Sequence, residues 1–150
     1  MAGNTIWRGQ ANAVQPRTIN LPVSGALLPG TFVENTATTL AQIVTATGKR
    51  PLVLANPDFY GYTSALAPAL TPYVSGDTGV AYEMQIGDIF QCAMAAATYT
   101  KNQELTITTA GRLTAAVLGN IVVAFFDDTP GAFAAGALAD VVIANFYTKP

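Results

Sequence analysis

The stretch ELTITTAGRLTAAVLGNIVVAFF, Glu104 to Phe126, decides how this chain folds. Glu104 to Thr109 and Arg112 to Ala115 read as short strands around an Ala110-Gly111 turn, and Ile121 to Phe126 reads as a third. The apolar run Leu113 to Phe126 is interrupted by Thr114, Gly119 and Asn120. It is shorter than the about 20 residues a bilayer helix requires, so it belongs in a core and no membrane span is predicted. The continuous runs Ile121 to Phe126 and Val141 to Ile143 predict strands covered on both faces, by the core and by a neighbouring subunit or a long loop.

The same grammar extends outward. Val80 to Met84, Ile89 to Met94 and Val141 to Phe146 are further strands, separated by the turn signals Gly76-Asp77, Gly87-Asp88 and Thr129-Pro130-Gly131. Upstream, Thr31 to Glu34, Thr38 to Thr47 and Leu52 to Ala55 are rich in residues that favour pleated surfaces. Leu40, Ile43 and Val44 have helical spacing, but Gly48 and Pro51 close by favour a hairpin. Thr18 to Val23 alternates through Ile19, Leu21 and Val23, and Pro22 suits an edge, so this stretch could pair with the sheet of another molecule. Leu27 to Val33 and Tyr99 to Ile107 share an apolar-turn-apolar pattern that does not amount to a duplication. Many short strands at near-regular spacing predict a mainly β chain, either barrel or sandwich.

Two segments stand apart. Residues 1–18 lack periodicity and predict an extended N-terminal arm, leaving 19–150 as a single β-rich domain. Asn56 to Gly76 carries Pro57, Gly61, Pro68 and Pro72 among Phe59, Tyr60, Tyr62 and Tyr73, which predicts a long ordered loop with one helical turn around Ala65 to Leu70.

Composition points to contact with other proteins. Hydrophobic residues make up 51% and charged residues 11% of the 150, with mean hydropathy +0.35. An ordinary domain is about 25% charged, so apolar surface is left over for self-association or for docking on a large partner. The net charge is −2, and of the seven basic residues only Lys49 and Arg50 are adjacent. No phosphate-tracking stripe forms, and nucleic acid is not an expected partner. Trp7 and Arg8 sit where a secretory signal would be apolar, so synthesis in a cytoplasm is expected.

The chain has no histidine and one cysteine. Ser-His-Asp and Cys-His arrangements and most zinc sites are therefore excluded, and no intrachain disulfide can form. Cys92 reads as a small core residue. Gly48-Lys49-Arg50 lacks the upstream glycine and the hydroxyl of a phosphate loop. Asp127 and Asp128 could serve carboxylate catalysis only if they converged, and adjacent strand residues point to opposite faces. They read as turn or cap residues, as do Asp77 and Asp88, each after a glycine; a calcium site would need several of the four to meet. No catalytic residue, metal or cofactor is expected. Trp7 beside Arg8 has the composition of an interface anchor, or is an incidental tryptophan in a terminus.

The order of these features resembles the phage head decoration proteins, the lambda-type capsid stabilisers. The residues that carry the resemblance are Gly25-Ala26-Leu27-Leu28-Pro29-Gly30-Thr31-Phe32-Val33-Glu34, Arg50-Pro51-Leu52-Val53-Leu54-Ala55-Asn56-Pro57, Tyr73-Val74-Ser75-Gly76-Asp77, Gly87-Asp88-Ile89-Phe90 and Leu105 to Leu113, within a span from Ile19 to Tyr147. The resemblance implies a small β-barrel or "β-tulip" domain. It also implies a protein that adds to the outer surface of an expanded capsid, as a homotrimer or dimer, and braces neighbouring major capsid subunits. No site residue transfers from the family. The candidate contact residues are Ile6, Trp7, Arg8, Ile19 and Leu21 of the arm and first strand, and Phe59, Tyr60 and Tyr62 of the loop. The competing reading is a carbohydrate- or host-binding module of a phage tail or fibre, with the loop tyrosines stacking on sugars.

Overall fold

The computed structural model describes residues 6–9, 16–56 and 71–150. Twelve strands follow one another: β1 (Thr18–Pro22), β2 (Phe32–Asn35), β3 (Leu40–Gln42), β4 (Leu52–Leu54), β5 (Thr78–Tyr82), β6 (Ile89–Ala93), β7 (Ala97–Tyr99), β8 (Glu104–Thr108), β9 (Arg112–Ala115), β10 (Ile121–Phe126), β11 (Gly131–Phe133) and β12 (Leu138–Thr148). The mainly β class is as expected. Of Thr38 to Thr47 only Leu40–Gln42 forms a strand, and the expected hairpin with Leu52 to Ala55 does not form: β3 and β4 each pair with β2, which lies between them.

Two five-stranded sheets form, in the orders β1-β5-β4-β2-β3 and β6-β12-β10-β8-β9, and every pair within them is antiparallel. Short strands twist strongly, and each sheet curls until its two edges touch. In the first, Val23 after β1 makes a parallel bridge to Leu40 of β3, and the Ser24 amide donates to the Leu40 carbonyl at 2.9 Å. In the second, Met94 after β6 bridges Leu113 of β9, and the Ala95 amide donates to the Leu113 carbonyl at 2.7 Å. Each sheet is thus drawn nearly into a barrel that a single bridge closes, which leaves few unpaired edges. A small ribbon of β11 on β7 lies beside the second.

Side-chain parity divides the core. In β4, Leu52 and Leu54 face Val23, Val33, Leu40, Tyr73 and Ala81, while Val53 faces the larger cluster shared with the second sheet. That cluster takes Phe90, Cys92, Leu105, Ile107, Leu113, Val123, Phe126, Val141 and Ile143 from the second sheet, and Phe32 and Val53 from the first. Tyr99 stacks on Phe126 at a ring-centroid distance of 5.4 Å, and its hydroxyl bonds the Ala95 carbonyl at 2.8 Å, so the buried phenol is satisfied.

Two glycines hold the sheets together. Gly30, at φ +83°, offers its carbonyl to the Ala93 amide of β6 while its own amide reaches Leu54 of β4. Gly111, at φ +63°, presses on β2 so closely that a Cβ would lie 2.7 Å from the Phe32 carbonyl oxygen. Both positions need positive φ and no side chain.

The strand Ile121–Phe126 has buried residues on both faces, and among the described residues the second face is covered by β12 and the β9–β10 connection, not by the predicted long loop or neighbouring subunit. Val122 and Phe125 turn away from the main core and pack with Ala144 and with Ala116, which lies in the connection from β9 to β10.

Candidate partner-binding surfaces

Ile6 to Gly9 lies against the chain's own second sheet. Ile6 is fully buried in the large core, its amide donates to Asn56 Oδ1 at 2.9 Å, and its carbonyl accepts from the Gln91 amide at 2.6 Å. Trp7 bridges Phe90, and the Arg8 amide donates to the Ile89 carbonyl at 2.8 Å. These residues add a short strand to the edge of β6. Gly9, at φ +57°, allows the indole of Trp7 to fold over its Cα. Arg8 Nε stands 3.2 Å from Asp140 Oδ1 on β12. Of the arm predicted over residues 1–18, then, these four lie on the folded body: Ile6 is in the core and presents no surface to a partner, Gly9 is buried, and Trp7 and Arg8 are half-buried.

Ile19 and Leu21 pack against the smaller core from β1, which is an edge strand as Pro22 implied and pairs with β5 of its own chain. Phe59, Tyr60 and Tyr62, with most of the predicted aromatic loop and its helical turn, lie outside the described residues. Tyr73, from the same stretch, is a core residue whose hydroxyl donates to the Ala55 carbonyl at 3.0 Å.

The acids serve turns and pairs. Asp77 accepts the Val74 amide, Asp88 the Gln85 amide, and Asp128 those of Thr129 and Asp140, while Asp127 pairs with Lys101. Among the described residues no three Asp, Glu or Cys side chains are grouped to hold a metal ion. Asp140 is held above the usual carboxylate range because it is half-buried; Arg8 opposes that rise, and the charges of Asp128 and Asp127 add to it. Burial, and then the charge of Asp140, push the Cys92 thiol far up.

The described surface that does stand open runs along the last part of β12. The turn carrying Ile86 is tied to it where the Gly87 amide meets the Ile143 carbonyl. The turn carrying Val117 and Leu118 is tied to it where the Gly119 amide meets the Lys149 carbonyl. Phe146 and Tyr147 lie between. Ile86 is 67%, Val117 64% and Leu118 77% exposed. Successive strand residues point to opposite faces, so Phe146, which lines a cleft with Ile86, and Tyr147, whose ring lies 6.4 Å from that of Phe125, are on opposite faces of β12. Beside it, Glu104 accepts from Lys149 at 2.6 Å and from the Tyr147 hydroxyl at 2.5 Å. Lys149 first, then Tyr147, hold the Glu104 carboxyl below its ordinary range, and Glu104 raises the Tyr147 phenol in return. Sequence reading missed this surface because its residues come from three turns and strands far apart in the chain.

On the other side of β12 an open cleft of about 510 Å³ separates the two sheets. Arg17, Lys49, Arg50 and Glu83 line it from the first sheet and Ile143 to Phe146 from the second, with Met84 to Ile86 as the connecting floor.

The class that this geometry defines is a mainly β chain of two curled five-stranded sheets, with an open face that offers apolar contact. A solved structure shares the fold: the head fibre gp8.5 N base of bacteriophage phi29, at a TM-score of 0.56 and 12% identity, over 89% of this chain and 98% of that one. No family model matches the chain, and no curated protein matches it in sequence.

Proposed function

We propose that this chain is a structural protein of a phage virion that sits on the outer surface of the expanded capsid and cements neighbouring major capsid subunits, as a homotrimer. The observation that carries the reading is the fold shared end to end with a phage head fibre base. Two features support it independently. Few charges and surplus apolar residues suit a protein that works while docked, and the exposed Ile86, Val117, Leu118, Phe146 and Tyr147 of β12 and its flanking turns offer apolar contact. Stable docking buries about 800 Å² per partner, which here would be spread over several capsid subunits. The role is mechanical and calls for no catalytic group.

The comparison also favours a second reading, in which the chain is the attachment base of a fibre that meets the host or its carbohydrates. A cement protein raises the thermal resistance of the capsid, whereas a fibre base binds without doing so. Addition of the purified protein to expanded heads that lack it, followed by heating, separates the two. Failure to bind heads at about micromolar concentration contradicts both.

A further inference from the structure

From the cleft between the sheets we infer a strand-accepting site for an extended polypeptide segment of a partner, one that alternates acidic and apolar side chains. This goes beyond the capsid reading and does not depend on which particle carries the partner.

The backbone supplies the first half of the argument. β6 pairs with β12 only from Leu138 to Val142, and the Ile143 amide makes a last bond to the Asp88 carbonyl at 2.9 Å. There the turn Gln85 to Asp88 carries the chain away. β12 continues to Thr148 with β10 on one side. On the other side, among the described residues, no strand lies against Ala144 to Thr148. Edges of this kind are normally covered or charged, because they template pairing with another chain.

Charge supplies the second half. The chain carries a net −2, yet three of its seven cations, Arg17, Lys49 and Arg50, line this cleft against one acid, Glu83. Lys49 is engaged by Glu34 at 2.9 Å. Arg17 and Arg50 both approach Glu83 Oε1, at 3.8 and 3.1 Å, and each is 78% exposed. Two guanidiniums on one carboxylate leave a positive charge facing solvent, placed to meet an incoming acid. Opposite it, Met84, Ile86 and Phe146 offer apolar contacts. A strand added along Asn145 to Thr148 would direct alternate side chains to these two linings, since successive strand residues point to opposite faces.

The test uses the full chain with acetyl-Ser-Val-Glu-Val-Glu-Val-Ser-amide as the probe, followed by amide NMR and hydrogen exchange. The expected result is saturable binding that protects alternate amides within Asn145 to Thr148. Replacing both probe glutamates by lysine, or its central valine by proline, should weaken binding at least about tenfold. So should the double variant Arg17→Glu, Arg50→Glu, whose two side chains are exposed enough for the fold to tolerate the change. Equal binding of the lysine probe, or binding without protection of that run, overturns the inference. It is also overturned if oligothymidylate, phosphatidylglycerol vesicles or a second copy of the chain takes the cleft in preference to the acidic probe. Loss of capsid binding with this result intact would count against the capsid reading alone.

Discussion

Arg8 and Asp140 meet across β6: Arg8 comes from the strand added to one edge of β6, Asp140 from β12 on the other, and Nε lies 3.2 Å from Oδ1. The contact is an ion pair on a half-buried carboxylate. Burial therefore outweighs the attraction, and the folded chain holds the Asp140 proton to a higher pH than the unfolded chain does. With more protons bound in the native state, stability falls as pH rises from the ordinary carboxylate value through the raised one. Asp140→Asn removes the charge and keeps the shape. Its urea midpoint should exceed that of the parent at pH 7, and the two should converge at about pH 3, below both values. A midpoint lowered at pH 7 would show that Arg8 outweighs burial.

Trp7 is the single tryptophan, so its fluorescence reports whether Ile6 to Gly9 stays on β6. Ile6→Asp places a charge in a fully buried apolar site and should release the segment. We predict an emission maximum shifted to the red in that variant, with far-ultraviolet circular dichroism retained. Unchanged emission would mean that the segment does not dock in solution.

Gly111 and Gly119 share positive φ but not surroundings. A Cβ at Gly119 meets nothing within 4 Å, whereas at Gly111 it lies 2.5 Å from Thr31 Cγ2 and 2.7 Å from the Phe32 carbonyl oxygen. Gly119→Ala should cost about 1 kcal/mol, from backbone strain alone. Gly111→Ala should cost about 3 kcal/mol, because the two sheets must also move apart. Equal costs in denaturant titration would show that the sheets are not packed this tightly.

Cys92 is fully buried, and its thiol holds its proton far above the ordinary range. An aromatic disulfide reagent at about pH 8 should find no reactive thiol in the native chain and one after denaturation. Stoichiometric native labelling would show that β6 opens.

The stretch 104–126 was legible because its β-favouring and apolar runs are broken by the Ala110-Gly111 turn, whereas Gly48 and Pro51 suggested a hairpin of Leu40 with Leu52 that the insertion of β2 between them replaces. Strands β7 and β11 were not foreseen: Ala97–Tyr99 and Gly131–Phe133 are too short to show a period. Ile6 and Trp7 read as part of a free arm because the residues around them show no strand or helix period. Their partners, Phe90 and Gln91, lie far along the chain. The bridges Val23 to Leu40 and Met94 to Leu113, which curl the sheets, are single long-range contacts that leave no local pattern. The cleft was hidden for a related reason, since Arg17, Arg50 and Phe146 converge only through the crossing of the two sheets. The capsid role is a proposal that began in resemblance, and what the head fibre base shares with this chain is the fold.

The central claim is attachment to a phage head, and co-sedimentation with expanded heads that lack the protein tests it most directly. The account predicts saturable binding at a fixed ratio to the major capsid protein. It also predicts that Val117→Lys combined with Leu118→Lys, at two exposed positions of the turn tied to the end of β12, weakens binding at least about tenfold while the variant stays folded. Protein that remains wholly in the supernatant at about micromolar concentration would contradict it.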